Sequence, residues 1–241
     1  MRRPRKPQAR SDAPARAARQ PVPVGANGVE LVLLGERAAW LPGAATLLVA
    51  DVHLGKAASF GALGVPVPDT TAATLARLDA LVRGHAPRRL VVLGDLLHGL
   101  PAHRSGAVRR LSQWRRRHPR LDIVLVRGNH DDRAGDPPPE CAIEVVDEPL
   151  ALDDRSELLL CHTPRPEAGG YVIAGHLHPA FRLATRADSI RLPCFWLRPA
   201  YGVLPAFGDF TGGWPIRPAP GDRVFIADGE RVHRVPTATA S

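Results

Sequence analysis

Three short apolar runs in this chain each end on an acid or an imidazole: TLLVADVH (46–53), RLVVLGD (89–95) and LDIVLVRGNHDD (121–132). Unbroken runs of Val, Leu and Ile bounded by turn formers read as strands buried on both faces, which is what a parallel sheet requires. Between the first two, TTAATLARLDALVRG (70–84) sets Leu75, Leu78 and Leu81 at helical spacing behind a cap at Asp69 or Thr70. The centre of LLHGLPAHRSGAVRRLSQWRRRHPR suits a basic helix, and ELVLLGERAAWL (30–41) reads as one further strand. Strand alternating with helix predicts a largely parallel sheet whose sites form at the carboxyl ends of its strands. Later the pattern changes to ELLLCH, YVIAGHLH, FRLA, LPCFWLR, YGVLPAFG, RVFIADG and ERVHRV, short strands with little room for helices. A second, more antiparallel sheet packed on the first buries them most simply.

A chain of 241 residues can close one core, and no internal repeat divides it. The expected organisation is a disordered basic tail over residues 1–25, one domain over 26–236 and a short C-terminal tail over 237–241. Residues 1–20 hold seven of the 32 Lys and Arg but one of the 24 Asp and Glu, so the excess of +8 falls to +2 in the remainder. Such a tail attracts polyanions without reading their sequence, or simply solubilises the chain. No run of eighteen apolar residues offers a membrane span, and the basic start lacks the apolar core of a secretory signal, so a cytoplasmic location is expected. Cys141, Cys161 and Cys194 are odd in number and widely spaced, which argues against a disulfide framework or a cysteine zinc site.

The chemistry lies at the strand ends. Asp51 and His53 leave the first run, Asp95 the second, Asn129, His130 and Asp131 the third; His162 follows LLLC, and His176 and His178 close YVIAGHLH. Singly each has a dull explanation as a turn former, a cap or a surface histidine. Together, on strands sharing a sheet edge, they would form a carboxylate cluster that repels itself unless a cation neutralises it. Carboxylate oxygens mixed with imidazole nitrogens suit Mn, Fe, Zn or Ni better than Ca or Mg, and the donors suffice for two ions. In DVH and HLH, residues at i and i+2 of an extended segment project to one side, so both side chains of each pair can face one centre. After Gly128, Asn129 and His130 can diverge, one to metal and one to substrate.

In this order, DVH (51–53), GD (94–95), GNHD (128–131), His162 and GHLH (175–178) resemble the motifs of the calcineurin-like metallophosphoesterases over roughly residues 45–210. The resemblance implies an α/β fold, a four-layer α-β-β-α sandwich with two mixed β-sheets. It implies one metal held by Asp51, His53, Asp95 and His178, with Asp95 bridging to a second held by Asn129, His162 and His176. His130 would contact the phosphate and protonate the leaving group, oriented by Asp131, and His98 matches a histidine near the scissile phosphate of nuclease-like members. More narrowly, HLGKAASFGALGVPVP, LGDLLH, YVIAGHLHPAF, RLPCFWL and LPAFGDFTGG are similar to bacterial phosphoesterases associated with an ATP-dependent DNA ligase. That subfamily implies a manganese-dependent endonuclease preferring single-stranded DNA, acting in DNA damage response beside a ligase and a helicase; related enzymes are often homodimers.

The expected reaction is direct hydrolysis by a hydroxide bridging two ions, with His130 serving the departing oxygen. Cys161 is read as a core residue, not a nucleophile. Lys56 is a candidate phosphate contact. Arg104, Arg109, Arg110, Arg115, Arg116, Arg117 and Arg120, with Trp114, form either a nucleic-acid face or an ordinary solvated helix surface whose buried stripe is Leu111 and Trp114. Phe195, Trp196, Tyr201, Phe207, Phe210 and Trp214 either shape the rim of the site or pack the second sheet, Phe210 and Trp214 being the exposed candidates. Two rival functions stand beside the nuclease: a phosphatase or phosphodiesterase for a nucleotide or other small ester, and a repair-complex binding subunit with slow turnover.

Overall fold

Alternate residues of the apolar runs face opposite ways, and both faces of the resulting sheet are buried. The computed structural model describes residues 20–25, 28–57, 70–99, 102, 106–152, 157–184, 188–209 and 211–236. Seven strands stand side by side in chain order: β1 (Gln20–Val24), β2 (Val29–Leu34), β3 (Ala38–Leu41), β4 (Thr46–Ala50), β5 (Arg89–Leu93), β6 (Asp122–Val126) and β7 (Glu144–Val146). From β4 to β7 every pairing is parallel, as the alternation with helices predicts; from β1 to β4 every pairing is antiparallel. The sheet is therefore mixed.

Two differences from the sequence reading lie in its antiparallel half. ELVLLGERAAWL is not one strand but the hairpin β2–β3, turned at Gly35–Arg37, where Arg37 has φ 67° and its N–H donates to the Leu34 carbonyl. The apolar run conceals the turn because residues on both sides of it are buried. Residues 20–24, assigned to the tail, form the edge strand β1, with Val22 and Val24 buried and Pro21 and Pro23 exposed. Proline is compatible with a strand at an edge, where only alternate N–H groups enter the ladder. Residues 1–19, 58–69 and 237–241 lie outside the described residues.

Helix α1 (Thr71–His85) and helix α2 (Ala107–Arg117) cover one face of this sheet. Leu75, Leu78, Leu81, Leu111 and Trp114 pack on Leu47, Val49, Leu90, Val92 and Leu125. The opposite face presents Leu31, Leu33, Leu48, Val91, Leu93 and Val126 to Leu158, Leu160, Ile173, Phe195, Leu197 and Phe225 of a second sheet. Its strands are β8 (Leu150–Ala151), β9 (Leu158–Leu160), β10 (Tyr171–Ala174), β11 (Pro179–Ala184), β12 (Ser189–Leu197), β13 (Tyr201–Val203), β14 (Trp214–Pro215), β15 (Arg223–Ala227) and β16 (Val232–Val235). The order is β14-β11-β12-β13-β10-β9-β8, with β15 joined to β12 and β16 to β15. This sheet too is mixed: β10 runs parallel to β9 and β13, and β11 to β14, while the other pairs are antiparallel.

The architecture is an α/β sandwich of two mixed sheets. Among the described residues its helical layer covers the first sheet, and the outer face of the second carries a small cluster of Cys194, Ile216, Val224 and Ile226. The segment after β13 stitches the sheets together. Leu204 N–H donates to the Ala174 carbonyl, Phe207 N–H to Ala50 and Gly208 N–H to Asp51, so the exits of β4 and β10 are held to one strip of chain.

Candidate metal centre

Every anticipated donor lies just past a strand end, and at five of the seven the backbone is left-handed. Asp51, His53, Asp95, His176 and His178 have φ of 52°, 48°, 53°, 70° and 47°. Non-glycine residues occupy that region at a cost of roughly 1–3 kcal/mol each and cluster at functional sites. Asp51 and His53 lie beyond β4, and His176 and His178 lie between β10 and β11, so neither pair is part of an extended segment. Left-handed turns, not strand alternation, bring each pair to one centre. GNHD differs too: Gly128 caps a short helix, α3 (Asn129–Ala134), and the polar residues occupy its first turn.

Two donor groups meet at Asp95. In the first, ligand atoms of Asp51, His53, Asp95 and His178 all lie within 4.8 Å of one another. Nε2 of His178 is 3.4 Å from Asp51 Oδ1 and 3.4 Å from His53 Nε2, which is itself 3.7 Å from Asp95 Oδ2. In the second, Nε2 of His162 lies 3.0 Å from Asn129 Oδ1, 2.9 Å from His176 Nδ1 and 3.6 Å from Asp95 Oδ1. The seven side chains read as donors from the sequence thus lie together around Asp95, and His53 is shared with a further cluster of His98 and His130.

The donor chemistry fits cations. His162 Nδ1 donates to the Leu93 carbonyl at 3.1 Å, so in the neutral ring Nε2 carries the lone pair. Of the three atoms that lone pair faces, only His176 Nδ1 has a proton to offer. His178 repeats the arrangement, with Nδ1 on the Thr211 carbonyl at 3.0 Å and Nε2 turned to Asp51 and His53. Lone pairs converging with too few protons between them are stabilised by a positive ion. Backbone N–H groups fix the carboxylates from behind: His176 N–H donates to Asp51 Oδ2 at 2.9 Å, and His130 N–H to Asp95 Oδ1 at 2.9 Å.

Burial and neighbouring charge lower the pKa of three of the rings. Burial, then Lys56 and neighbouring imidazoles, push His53 far below its ordinary value; burial and Lys56 bring His98 to about 4. Burial also lowers His176, with His162 beside it. For His178 burial works downward, but the hydrogen bond and charge of Asp51 prevail and raise it.

His98 and His130 stand beside the first group. Their rings stack with centroids 4.8 Å apart, each meets the His53 ring edge-on, and His98 Nδ1 is 3.2 Å from His53 Nδ1. Asp131 is a correction. Expected to orient His130, it turns its carboxylate to backbone: Oδ2 accepts from Asp95 N–H at 2.7 Å and Gly128 N–H at 3.0 Å, and Oδ1 from Leu96 N–H at 3.0 Å and Leu97 N–H at 3.3 Å. It ties the exits of β5 and β6 together, and burial raises its carboxyl to about 6. The physical reason is its place in the first turn of α3, where an acid reaches back to cap free N–H groups.

Glu148 was not anticipated. Its Oε2 accepts from His162 N–H at 2.6 Å and Thr163 N–H at 2.9 Å, while Oε1 pairs with Arg165 at 2.5 Å. Burial alone would raise its pKa, but the Arg165 bond and the two N–H groups lower it. A lone Glu before Pro149 carries no motif, so no sequence signal identified it.

Lys56 is half-buried, its pKa lowered by burial while the charges of Asp51 and Asp95 pull upward, which sets it close to the donors. Cys161 is buried and its thiol raised to about 11 by burial, so it is no thiolate nucleophile, and all three cysteines are free. Phe195 and Phe207 are core, not rim. Trp196 donates to Asp222 at 2.8 Å, and Tyr201 receives a hydrogen bond from Arg198 at 2.7 Å. Trp214 is 69% exposed as expected; Phe210 and Arg104 lie outside the described residues.

Comparison with known proteins agrees with this geometry. Residues 45–164 match the calcineurin-like phosphoesterase family. A crystal structure of a Pseudomonas putida nuclease, MPE, is 44% identical, with a TM-score of 0.78, and the match covers 90% of this chain and 100% of that one. A phosphoesterase from E. coli is 16% identical with a TM-score of 0.39, covering 79% of this chain and 97% of that one. No curated protein matches the sequence.

Proposed function

The chain belongs to the calcineurin-like phosphoesterases, and from that premise we propose that it is a manganese-dependent nuclease that cuts single-stranded DNA internally. The observation that carries the hydrolytic part is the convergence of seven donors whose lone pairs face one another across Asp95. The nucleic-acid part is supported by the 44% identity to a nuclease along the whole of that chain. Similarity of the HLGKAASFGALGVPVP and LPAFGDFTGG segments to ligase-associated phosphoesterases supports a place in DNA damage response beside a ligase and a helicase.

Divalent ions, when bound, supply a hydroxide at neutral pH and neutralise charge developing on phosphoryl oxygens. The protein's own residues do the rest. Asp95, fixed by His130 N–H and through its backbone by Asp131, offers one carboxylate oxygen to each donor group. The carbonyls of Leu93 and Thr211 hold His162 and His178 in the tautomer that presents Nε2 to the centre. His130, stacked on His98, would hold a phosphoryl oxygen and protonate the departing one. His98, brought to about 4 by burial and Lys56, is a neutral ring stacked against it.

The test is hydrolysis by metal-free protein given manganese, with a fluorescent single-stranded oligonucleotide, its duplex and bis-p-nitrophenyl phosphate as substrates and His130→Ala as control. Internal cutting of the single strand that is lost in the variant is expected. Turnover of the small diester with both DNAs intact would overturn the nuclease reading and direct attention to nucleotides or other small esters.

A further inference from the structure

The hairpin β11–β12 leaves the metal centre carrying charge that its own neighbours do not answer. β11 begins directly after His178, and the register pairs Ala180 with Pro193, Phe181 with Leu192 and Arg182 with Arg191. Residues opposite one another in a ladder share a face, and faces alternate along the strand. The Ala180–Pro193 and Arg182–Arg191 rungs therefore look one way, and the Phe181–Leu192 rung between them looks the other, towards the apolar cluster around Cys194.

The first rung, with His178, Arg37 and Arg191, lines an open cleft of about 240 Å³ that reaches the metal centre. The second lies about 7 Å further out along the strands. Both of its arginines are exposed, and like charges directly opposite in a sheet destabilise it. Among the described residues Arg191 makes no hydrogen bond or ion pair, and Arg182 reaches only the Ser189 hydroxyl at 3.1 Å. At the inner end Arg37 and Arg77 share the single carboxylate of Asp209, leaving one positive charge uncompensated there. A run of positive charge thus extends from a metal ligand outward along one face, repelling itself in the absence of an anion.

We infer that the Arg182–Arg191 face of this hairpin, with the cleft that joins it to His178, seats the phosphodiester backbone of the nucleic-acid strand to one side of the cut. The inference rests on the nuclease reading and adds to it where the strand runs. The spacing of the rungs is comparable with one extended nucleotide, so the strand leaving the centre meets Arg37 first and the Arg182–Arg191 pair next. Arginine forks match phosphate oxygens in pairs, and an open cleft accepts a backbone without enclosing a base.

The experiment measures binding of a labelled single-stranded oligonucleotide by fluorescence anisotropy, using the metal-free full chain so that nothing is cut, across a range of salt. Each phosphate contact on a single strand contributes about 0.7 to the slope of log K against log salt, so Arg182→Gln with Arg191→Gln lowers the slope by about 1.4. At about 0.1 M salt its Kd rises roughly tenfold. Lysine at both positions keeps the wild-type slope. Arg83→Gln with Arg88→Gln, exposed in the last turn of α1 and just before β5, removes the same charge and leaves the slope unchanged. An equal fall in the two glutamine pairs would reduce the effect to net charge and overturn the track. A wild type that cuts the oligonucleotide, with no change of slope in the hairpin variant, overturns the track alone. A wild type that hydrolyses bis-p-nitrophenyl phosphate yet neither binds nor cuts the oligonucleotide overturns the nuclease reading and the track with it.

Discussion

Replacing Gly128 by alanine tests whether the Asp95 carboxylate, shared by the two donor groups, has room to move. The backbone there is extended, φ −108° and ψ 168°, so alanine meets no conformational penalty and the effect is purely steric. A Cβ at this position falls 2.4 Å from Asp95 Oδ1, 2.6 Å from Asp95 N and 3.0 Å from Gly94 Cα. Restoring even a tight contact of about 3.0 Å requires a shift of roughly 0.6 Å, three times the roughly 0.2 Å within which metal–ligand distances are held. The flexible end of a long side chain would yield cheaply, but the obstacle here is a carboxylate fixed by His130 N–H and a backbone fixed by Asp131. Overpacking of this kind costs roughly 1–3 kcal/mol, which for a domain of this size lowers Tm by about 4–8 °C at the middle of that range. Thermal unfolding of the metal-free protein and calorimetric titration with manganese read the two effects. Gly84→Ala is the control, since its Cβ meets nothing within 4 Å on the exposed face of α1, and it raises stability by up to about 1 kcal/mol. A Gly128→Ala protein with wild-type manganese affinity and Tm would refute the claim that the two strand exits are locked against each other.

Three other outcomes follow from the structure. Trp114→Ala empties a fully buried site beneath α2 and costs roughly 3–5 kcal/mol in urea unfolding, whereas Arg116→Ala stays within about 0.5 kcal/mol; equal effects would contradict the assignment of the helix's faces. Glu148→Gln loosens the His162 turn and weakens manganese binding by about 10- to 100-fold in a manganese titration, the range seen for outer partners of metal ligands; unchanged affinity would make Glu148 incidental. Asp228, in the β15–β16 turn, is held down to about 2 by Arg231 N–H, the His233 ring and Glu230 N–H. Its stabilising contribution is therefore complete above its ordinary 3.8 and lost as the pH falls through about 2. Asp228→Asn accordingly lowers the urea midpoint slightly at neutral pH, by an amount that shrinks towards pH 2; a gap constant with pH would contradict this.

The convergence of polar side chains was legible because the signal was repeated: an apolar run that stops on Asp51, Asp95 or His162 has one dull explanation each time, and several such runs on one sheet edge leave few in common. The parallel half of the first sheet was equally legible, since runs such as Leu90–Leu93 are buried on both faces. What escaped was information that only tertiary contact carries. The turn at Gly35–Arg37 is flanked by apolar residues, so periodicity runs across it. Residues 20–24 follow a basic, Pro-rich stretch and form a strand only because β2 supplies an edge to join. Left-handed φ at Asp51, His53, Asp95, His176 and His178 has no pattern along the chain, and extended spacing accounted for the convergence by the wrong route. Asp131 sat in a motif that suggested service to His130, while its position in the first turn of α3 assigned it to backbone N–H groups of β5 and β6.

The central claim is that Asp95 joins two donor sets into one dinuclear centre. Titration of the metal-free protein with manganese, followed by electron paramagnetic resonance and calorimetry for wild type and Asp95→Asn, tests it most directly. Two equivalents in the wild type, with spin coupling between them, and weakened binding of both in the variant are the predicted result. A single equivalent in the wild type, or a variant that loses one ion and holds the other with unchanged affinity, would contradict it.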